Sequence, residues 1–165
     1  MTKTLENLQA AFAGESQANR RYLAFAKKAD QEGLPQIAKL FRAAAQAETV
    51  HALNHFRTMG EIKSTAENLK VAVDGENYEA VTMYPEFIET AEAEQDKKAL
   101  TTFRWALVVE KQHETLYRKA LECLDAPQES FDYYVCPICG STHEGRAPEK
   151  CPVCGTPGSR FERVS

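Results

Sequence analysis

Apolar and small residues recur in alternating steps of three and four from the start of the chain to about residue 125, the period of helices with one buried stripe. Leu5, Leu8 and Phe12 open the first stripe, and Tyr22, Ala26 and Ala29 continue it. Gly33 predicts its end, and Pro35 suits the first turn of a second helix. Ile37, Leu40, Phe41 and Ala44 carry that second stripe toward Met59 and Gly60. "STAE" (Ser64 to Glu67) matches a capping box, in which each side chain satisfies the other's backbone N–H, and opens a third helix. A fourth helix is expected from about Asp96 to Leu124. "DAPQES" (Asp125 to Ser130) breaks the pattern, and a short tail rich in cysteine, glycine and proline follows. The reading is an all-α four-helix bundle over residues 1–126 with a small C-terminal domain over residues 131–165.

The two halves of the bundle repeat. "TLENLQAAFAGE" (Thr4 to Glu15) aligns with "TAENLKVAVDGE" (Thr65 to Glu76), with seven identities in twelve. The offset is 61 there and becomes 62 further on, where Tyr22, Phe25, Phe41 and Arg42 match Tyr84, Phe87, Phe103 and Arg104. Each half is therefore a helical hairpin, and a pseudo-two-fold axis is expected to relate the pair. The change of offset puts one extra residue between Glu76 and Tyr84. A helix absorbs a single insertion as a π-bulge, and Pro85, lacking an N–H, adds to the disturbance.

Carboxylates interrupt the oily stripes. Glu15 continues the first, Glu48 and His51 the second, Glu76 the third, and Glu110 and His113 the fourth. Glu79 lies beside the extra residue and has no acidic counterpart in the first half. An unpaired carboxylate in a core is costly, so these groups need cations or must be neutral. Arg20, Arg21, Lys27, Lys28, Lys97 and Lys98 fall mainly off the stripes and cannot supply the compensation. One Glu from each of two helices plus Glu-x-x-His from each of the other two is the ligand set of a carboxylate-bridged di-iron site. His55 lies one turn beyond His51 and is read as a supporting or surface histidine.

Composition narrows the picture. A net charge of −4 argues against nucleic acid or an anionic membrane as partner, and no apolar run reaches membrane-spanning length. The N-terminal stretch lacks the layout of a signal peptide, so a cytoplasmic address is expected. In that setting clustered cysteines are metal ligands before they are disulfides. Cys136 and Cys139 in "CPICG", with Cys151 and Cys154 in "CPVCG", form two knuckles whose four thiolates suit one tetrahedral ion, zinc or a single iron. Cys123 is read as a packed residue of the fourth helix and His143 as a surface loop residue.

Taken together, "GESQANRRY", "ETVH", "GENYEAVTMYPEF", "EKQH" and the paired knuckles resemble the rubrerythrin family nearly end to end. That family joins a ferritin-like di-iron bundle to a rubredoxin-like iron domain. The resemblance implies two non-haem irons in the bundle and one iron on Cys136, Cys139, Cys151 and Cys154, with zinc as a possible substitute. It implies that Glu48 and Glu110 bridge the irons, that Glu15 and Glu76 are terminal ligands, and that His113 binds the iron held by Glu76. By the same resemblance, Glu79 and His51 alternate as ligands of the oxidised and reduced iron, and Tyr22 and Tyr84 support ligand carboxylates. The implied activity is reduction of hydrogen peroxide to water in oxidative-stress defence, with electrons relayed through the tail iron. The sequence holds no nucleotide-binding motif, so a separate reductase or rubredoxin must supply those electrons. The alternative is a ferroxidase or iron-handling protein, which has no evident need of a one-electron tail.

The second and third helices of a ferritin-like bundle run parallel, so their link must travel the bundle's length. A second helix of roughly 24 residues is about 36 Å long, whereas "EIKS" (Glu61 to Ser64) spans only about 15–18 Å. The expected solution is a segment-swapped homodimer, each di-iron site taking its first hairpin from one chain and its second from the other.

Overall fold

A computed structural model describes residues 2–126 and 130–165 and divides into two compact units, one ending at Lys63 and the other beginning at Ser64. The first unit is a hairpin of α1 (Lys3–Gln31) and α2 (Pro35–Thr58). Thr2 caps α1 by accepting the Leu5 N–H. The chain reverses at Gly33, whose φ of 73° is left-handed, and the N–H groups of Gly33 and Leu34 close the turn on the carbonyls of Asp30 and Ala29. Buried alanines form the seam: Ala26 and Ala29 from α1, and Ala38, Ala45 and Ala52 from α2. The last three stand seven residues apart, so they fall on one line and let the backbones approach closely. The buried Asn19 adds a polar tie, its Nδ2 donating to the Ala45 carbonyl at 2.7 Å and to Thr49 Oγ1 at 2.8 Å.

This seam differs from the expected stripe of α2. Leu40 is 63% exposed and Ile37 is exposed too, while neighbouring Ala38 is fully buried. Each helix of a hairpin has one neighbour, and close approach selects the small residues for that contact. Phe25 and Leu23 of α1 are likewise left open in this unit.

The second unit starts in the expected capping box. The Glu67 N–H reaches Ser64 Oγ and the Ser64 N–H reaches the Glu67 carboxylate, opening α3 (Thr65–Tyr78). A π-helical turn (Glu79–Met83) interrupts the helix before α4 (Tyr84–Ala93). This is the distortion the offset change predicts: Tyr84 donates its N–H five residues back to the Glu79 carbonyl. Asp96 caps α5 (Lys97–Glu122), its carboxylate accepting from the N–H groups of Lys98 and Ala99. Cys123 follows at the C-cap, exposed rather than packed.

The internal repeat is visible atom by atom. Tyr22, Phe25 and Phe41 form a ring triad with centroid separations of 6.3, 6.2 and 5.6 Å. Tyr84, Phe87 and Phe103 form its counterpart at 6.2, 6.2 and 5.6 Å. Arg42 pairs with Asp30 as Arg104 pairs with Glu92. Gln95 takes the place of Gly33, with a φ of 59° and the same two turn hydrogen bonds, to Glu92 and Ala91.

The tail closes this unit as a three-stranded antiparallel sheet in the order β2-β1-β3, from β1 (Tyr133–Val135), β2 (Thr142–Glu144) and β3 (Glu162–Val164). It meets α5 at β2 and the residue before it: Ser141 Oγ donates to Gln112 Oε1 at 3.0 Å, and Lys119 pairs with Glu144 of β2. The expected break at Asp125 to Ser130 lies partly outside the described residues.

Candidate metal centres

Three groups of ligand atoms gather in the two units. In the first unit Glu15, Glu48 and His51 bring one atom each to within 4.8 Å of one another, and so do Glu76, Glu110 and His113 in the second. The repeat sets both geometries. His51 Nδ1 lies 2.9 Å from Glu48 Oε2, and His113 Nδ1 lies 2.8 Å from Glu110 Oε2. A three-residue step on a helix places both side chains on one face, which is why Glu-x-x-His can offer two ligands to one ion.

The second cluster is crowded with negative charge. Burial, the charge and hydrogen bond of Glu110, and the charge of Glu79 push the Glu76 carboxyl up to about 7. Glu79, at the first residue of the π-turn, is pushed up by burial and by Glu110, with His113 opposing. The hydroxyls of Tyr84 and Tyr117 are raised by burial and by the same carboxylates. Carboxylates that perturb one another this strongly, with one imidazole among them, are a donor set for a cation. Tyr22 and Tyr84 sit in the matching aromatic triads. Tyr117 is a neighbour the stripe reading passed over. It follows His113 by four residues, one turn on the same face, and that spacing was the available signal.

In the tail, the four sulfurs of Cys136, Cys139, Cys151 and Cys154 lie within 4.8 Å of one another. Cys136 and Cys154, like Cys139 and Cys151, are 3.5 Å apart, far from the about 2 Å of a disulfide. A tetrahedral ion with bonds of about 2.3 Å places its sulfurs about 3.8 Å apart, so the cage fits one ion. Burial pushes the Cys139 thiol up, so holding it as thiolate calls for a cation. Both knuckles are the same turn. The Gly140 N–H closes on the Cys136 carbonyl and the Gly155 N–H on that of Cys151, with φ of 83° and 79°. A side chain would resist that left-handed backbone, which explains a glycine after each second cysteine.

The second cluster and the cysteine cage are directly joined. His113 Nε2 lies 3.1 Å from Thr142 Oγ1, and Thr142 donates its hydroxyl proton to the Gly140 carbonyl at 2.9 Å. A cavity of about 340 Å³ adjoins this contact, lined by Leu69, Leu116, Tyr117 and Tyr133 among others. His143 belongs to β2 instead of a surface loop, half-buried, with Nε2 3.0 Å from Ser141 Oγ and its ring on Phe161.

Comparison with known proteins agrees with this architecture. The family profile described as rubrerythrin matches residues 6–121, and that of the rubrerythrin rubredoxin-like domain matches residues 134–162. Nigerythrin of Nitratidesulfovibrio vulgaris is 40% identical over 96% of this chain and 85% of its own. The rubrerythrin of Porphyromonas gingivalis is 38% identical over 98% and 90%. A solved structure of fully reduced, all-ferrous nigerythrin covers 99% of this chain and 88% of its own, at 38% identity and a TM-score of 0.60. No helix among the described residues is long and apolar enough to cross a membrane. Four long helices with candidate Glu/His sites for two irons, followed by a strand-containing domain with a four-cysteine site for one, complete the correspondence. The chain belongs to the rubrerythrin family of iron-binding oxidoreductases.

Proposed function

We propose that this protein is a non-haem di-iron peroxidase that reduces hydrogen peroxide to water in oxidative-stress defence. The observation that carries the reading is the join between the centres: a four-cysteine site, suited to one-electron transfer, docks on the helix that bears Glu110 and His113. Iron storage has no use for such a contact. Residues 1–126 then hold the di-iron bundle and residues 131–165 the electron-carrying domain, and the four sulfurs that stand outside disulfides suit a reducing cytoplasm.

The irons, when bound, supply the two electrons that cleave the O–O bond, and two protons complete the balance to two waters. The chain's own residues set the conditions. Glu48 and Glu110 would be ligands shared by the two irons, Glu15 and Glu76 would each hold one iron, and His113, held from both ends of its ring, would be a fixed ligand. Glu79 and His51 would serve as alternative ligands. The supporting observation is local: Glu79 sits at the π-turn beside Glu110 and His113. Exchanging an anionic ligand for a neutral one offsets the charge lost when the irons are reduced. Tyr22 and Tyr84 support the carboxylates.

The protein is read as a segment-swapped homodimer. Glu15, Glu48 and His51 of one protomer then complete a site with Glu76, Glu79, Glu110 and His113 of its partner. The link from Thr58 to Thr65 is short, and exposed Leu23, Phe25, Leu40, Val81 and Phe87 offer apolar faces for a second hairpin to cover. A separate reductase or rubredoxin supplies electrons. The test is anaerobic stopped-flow mixing of the fully reduced protein with peroxide or oxygen. Reoxidation much faster with peroxide is expected. Faster reoxidation by oxygen, with retention of added ferrous iron, would favour the ferroxidase alternative.

A further inference from the structure

We propose that Thr142, a residue of the cysteine domain, is a positioning residue for the bundle metal site, and that through it the two metal centres of one chain stabilise each other. The hydrogen bonds run in one direction. Thr142 gives its only hydroxyl proton to the Gly140 carbonyl, so toward His113 its Oγ1 is an acceptor and Nε2 carries the hydrogen. That leaves the Nδ1 lone pair for the cluster, where Glu110 Oε2 is 2.8 Å and Glu76 Oε1 3.9 Å away. A ligating histidine is held by an acceptor on its other nitrogen, and losing such an acceptor typically costs about 10–100-fold in metal affinity.

Thr142 owes its own position to the cage. It opens β2, two residues after Gly140, whose N–H is tied to the Cys136 carbonyl and whose chain neighbour Cys139 is one of the four sulfur ligands. The fully buried Ser141, between Gly140 and Thr142, donates to Gln112 on the α5 turn that carries His113. An ion in the cage therefore orders the segment that orients His113, and by linkage an ion in the bundle favours the docked tail.

The inference rests on His113 being a bundle ligand, and it is independent of whether the substrate is peroxide. The test uses the full-length chain titrated anaerobically with cobalt(II), whose absorption distinguishes sulfur ligation in the cage from oxygen and nitrogen ligation in the bundle. Thr142→Val is expected to weaken the bundle site about 10–100-fold while the cage spectrum stays unchanged, and Thr142→Ser to restore it. Cys151→Ser, which breaks the cage, should weaken the bundle by a similar factor, and adding Thr142→Val to it should cost little more. Wild-type bundle affinity in Thr142→Val, with affinity lost in His113→Ala, overturns the role of Thr142. Full affinity in His113→Ala overturns the ligand reading itself. Independent, multiplying losses in the double variant overturn the coupling.

Discussion

Replacing Glu76 by glutamine should stabilise the protein when the bundle is stripped of metal, increasingly as pH rises from about 4.5 to about 7. In the folded chain the Glu76 carboxyl is held up to about 7 against 4.5 ordinarily, first by burial and then by Glu110 and Glu79. The folded state thus retains a proton that the unfolded chain has released between those values. Stability is lost as pH rises through that window; the penalty is complete above about 7 and absent below about 4.5. The full gap corresponds to about 3 kcal/mol at about 1.4 kcal/mol per tenfold change. Because 20% of the side chain meets solvent, screening reduces this to about 1–2 kcal/mol. Urea denaturation followed by far-ultraviolet circular dichroism, on chelator-stripped bundle at pH 5 and pH 8, reads the difference. Glu76→Gln should exceed the wild type by about 1–2 kcal/mol at pH 8, with most of that gone at pH 5. The same substitution removes a charge the metals need, so the metal-loaded comparison should reverse sign. A stripped variant that tracks the wild type at both pH values would refute the account of a crowded, cation-seeking cluster.

Four further outcomes are expected. Cys151→Ser should abolish the visible absorption of the tail iron and leave helical circular dichroism nearly intact, since the tail's order depends on its ion. Gln95→Gly should raise stability by about 0.5–1 kcal/mol in chemical denaturation, because the present side chain sits at a φ of 59° where the first hairpin has a glycine. Glu79→Ala should keep the fold but lose most peroxide turnover in steady-state assay; full turnover would defeat the ligand exchange. Leu40→Asp, at a position 63% exposed in the hairpin, should shift the protein toward monomer in light scattering and lower its bundle iron content together.

Much of the site was legible in sequence because it is written in local spacing. Glu-x-x-His at a three-residue step, two cysteines framing a tight turn, and an offset that changes by one residue each constrain only a few neighbouring backbone angles. The π-turn at Glu79–Met83 is the clearest case: the change of repeat offset by one residue is enough to place it. Burial was less legible. The stripe of Ile37, Leu40 and Phe41 marks an apolar face, but periodicity cannot say which neighbour covers it, and the hairpin chose the alanines for its seam. Likewise His143 looked like a loop residue because short strands in a metal-held tail leave almost no periodic trace.

By itself, then, the sequence determined the helices, their caps, the Glu-x-x-His pairs and the Cys-x-x-Cys knuckles, since each depends on residues within one or two turns of one another, and alignment of its halves showed the internal repeat. Only the tertiary structure decided that Glu76, Glu110 and His113 share one charged space, that Tyr117 feels it, and that Thr142, 29 residues beyond His113, holds that histidine's far nitrogen. The first two come from the packing of α3 on α5, the last from the docking of β2 on α5. Docking depends on shape and hydrogen bonding between segments whose separation along the chain carries no period.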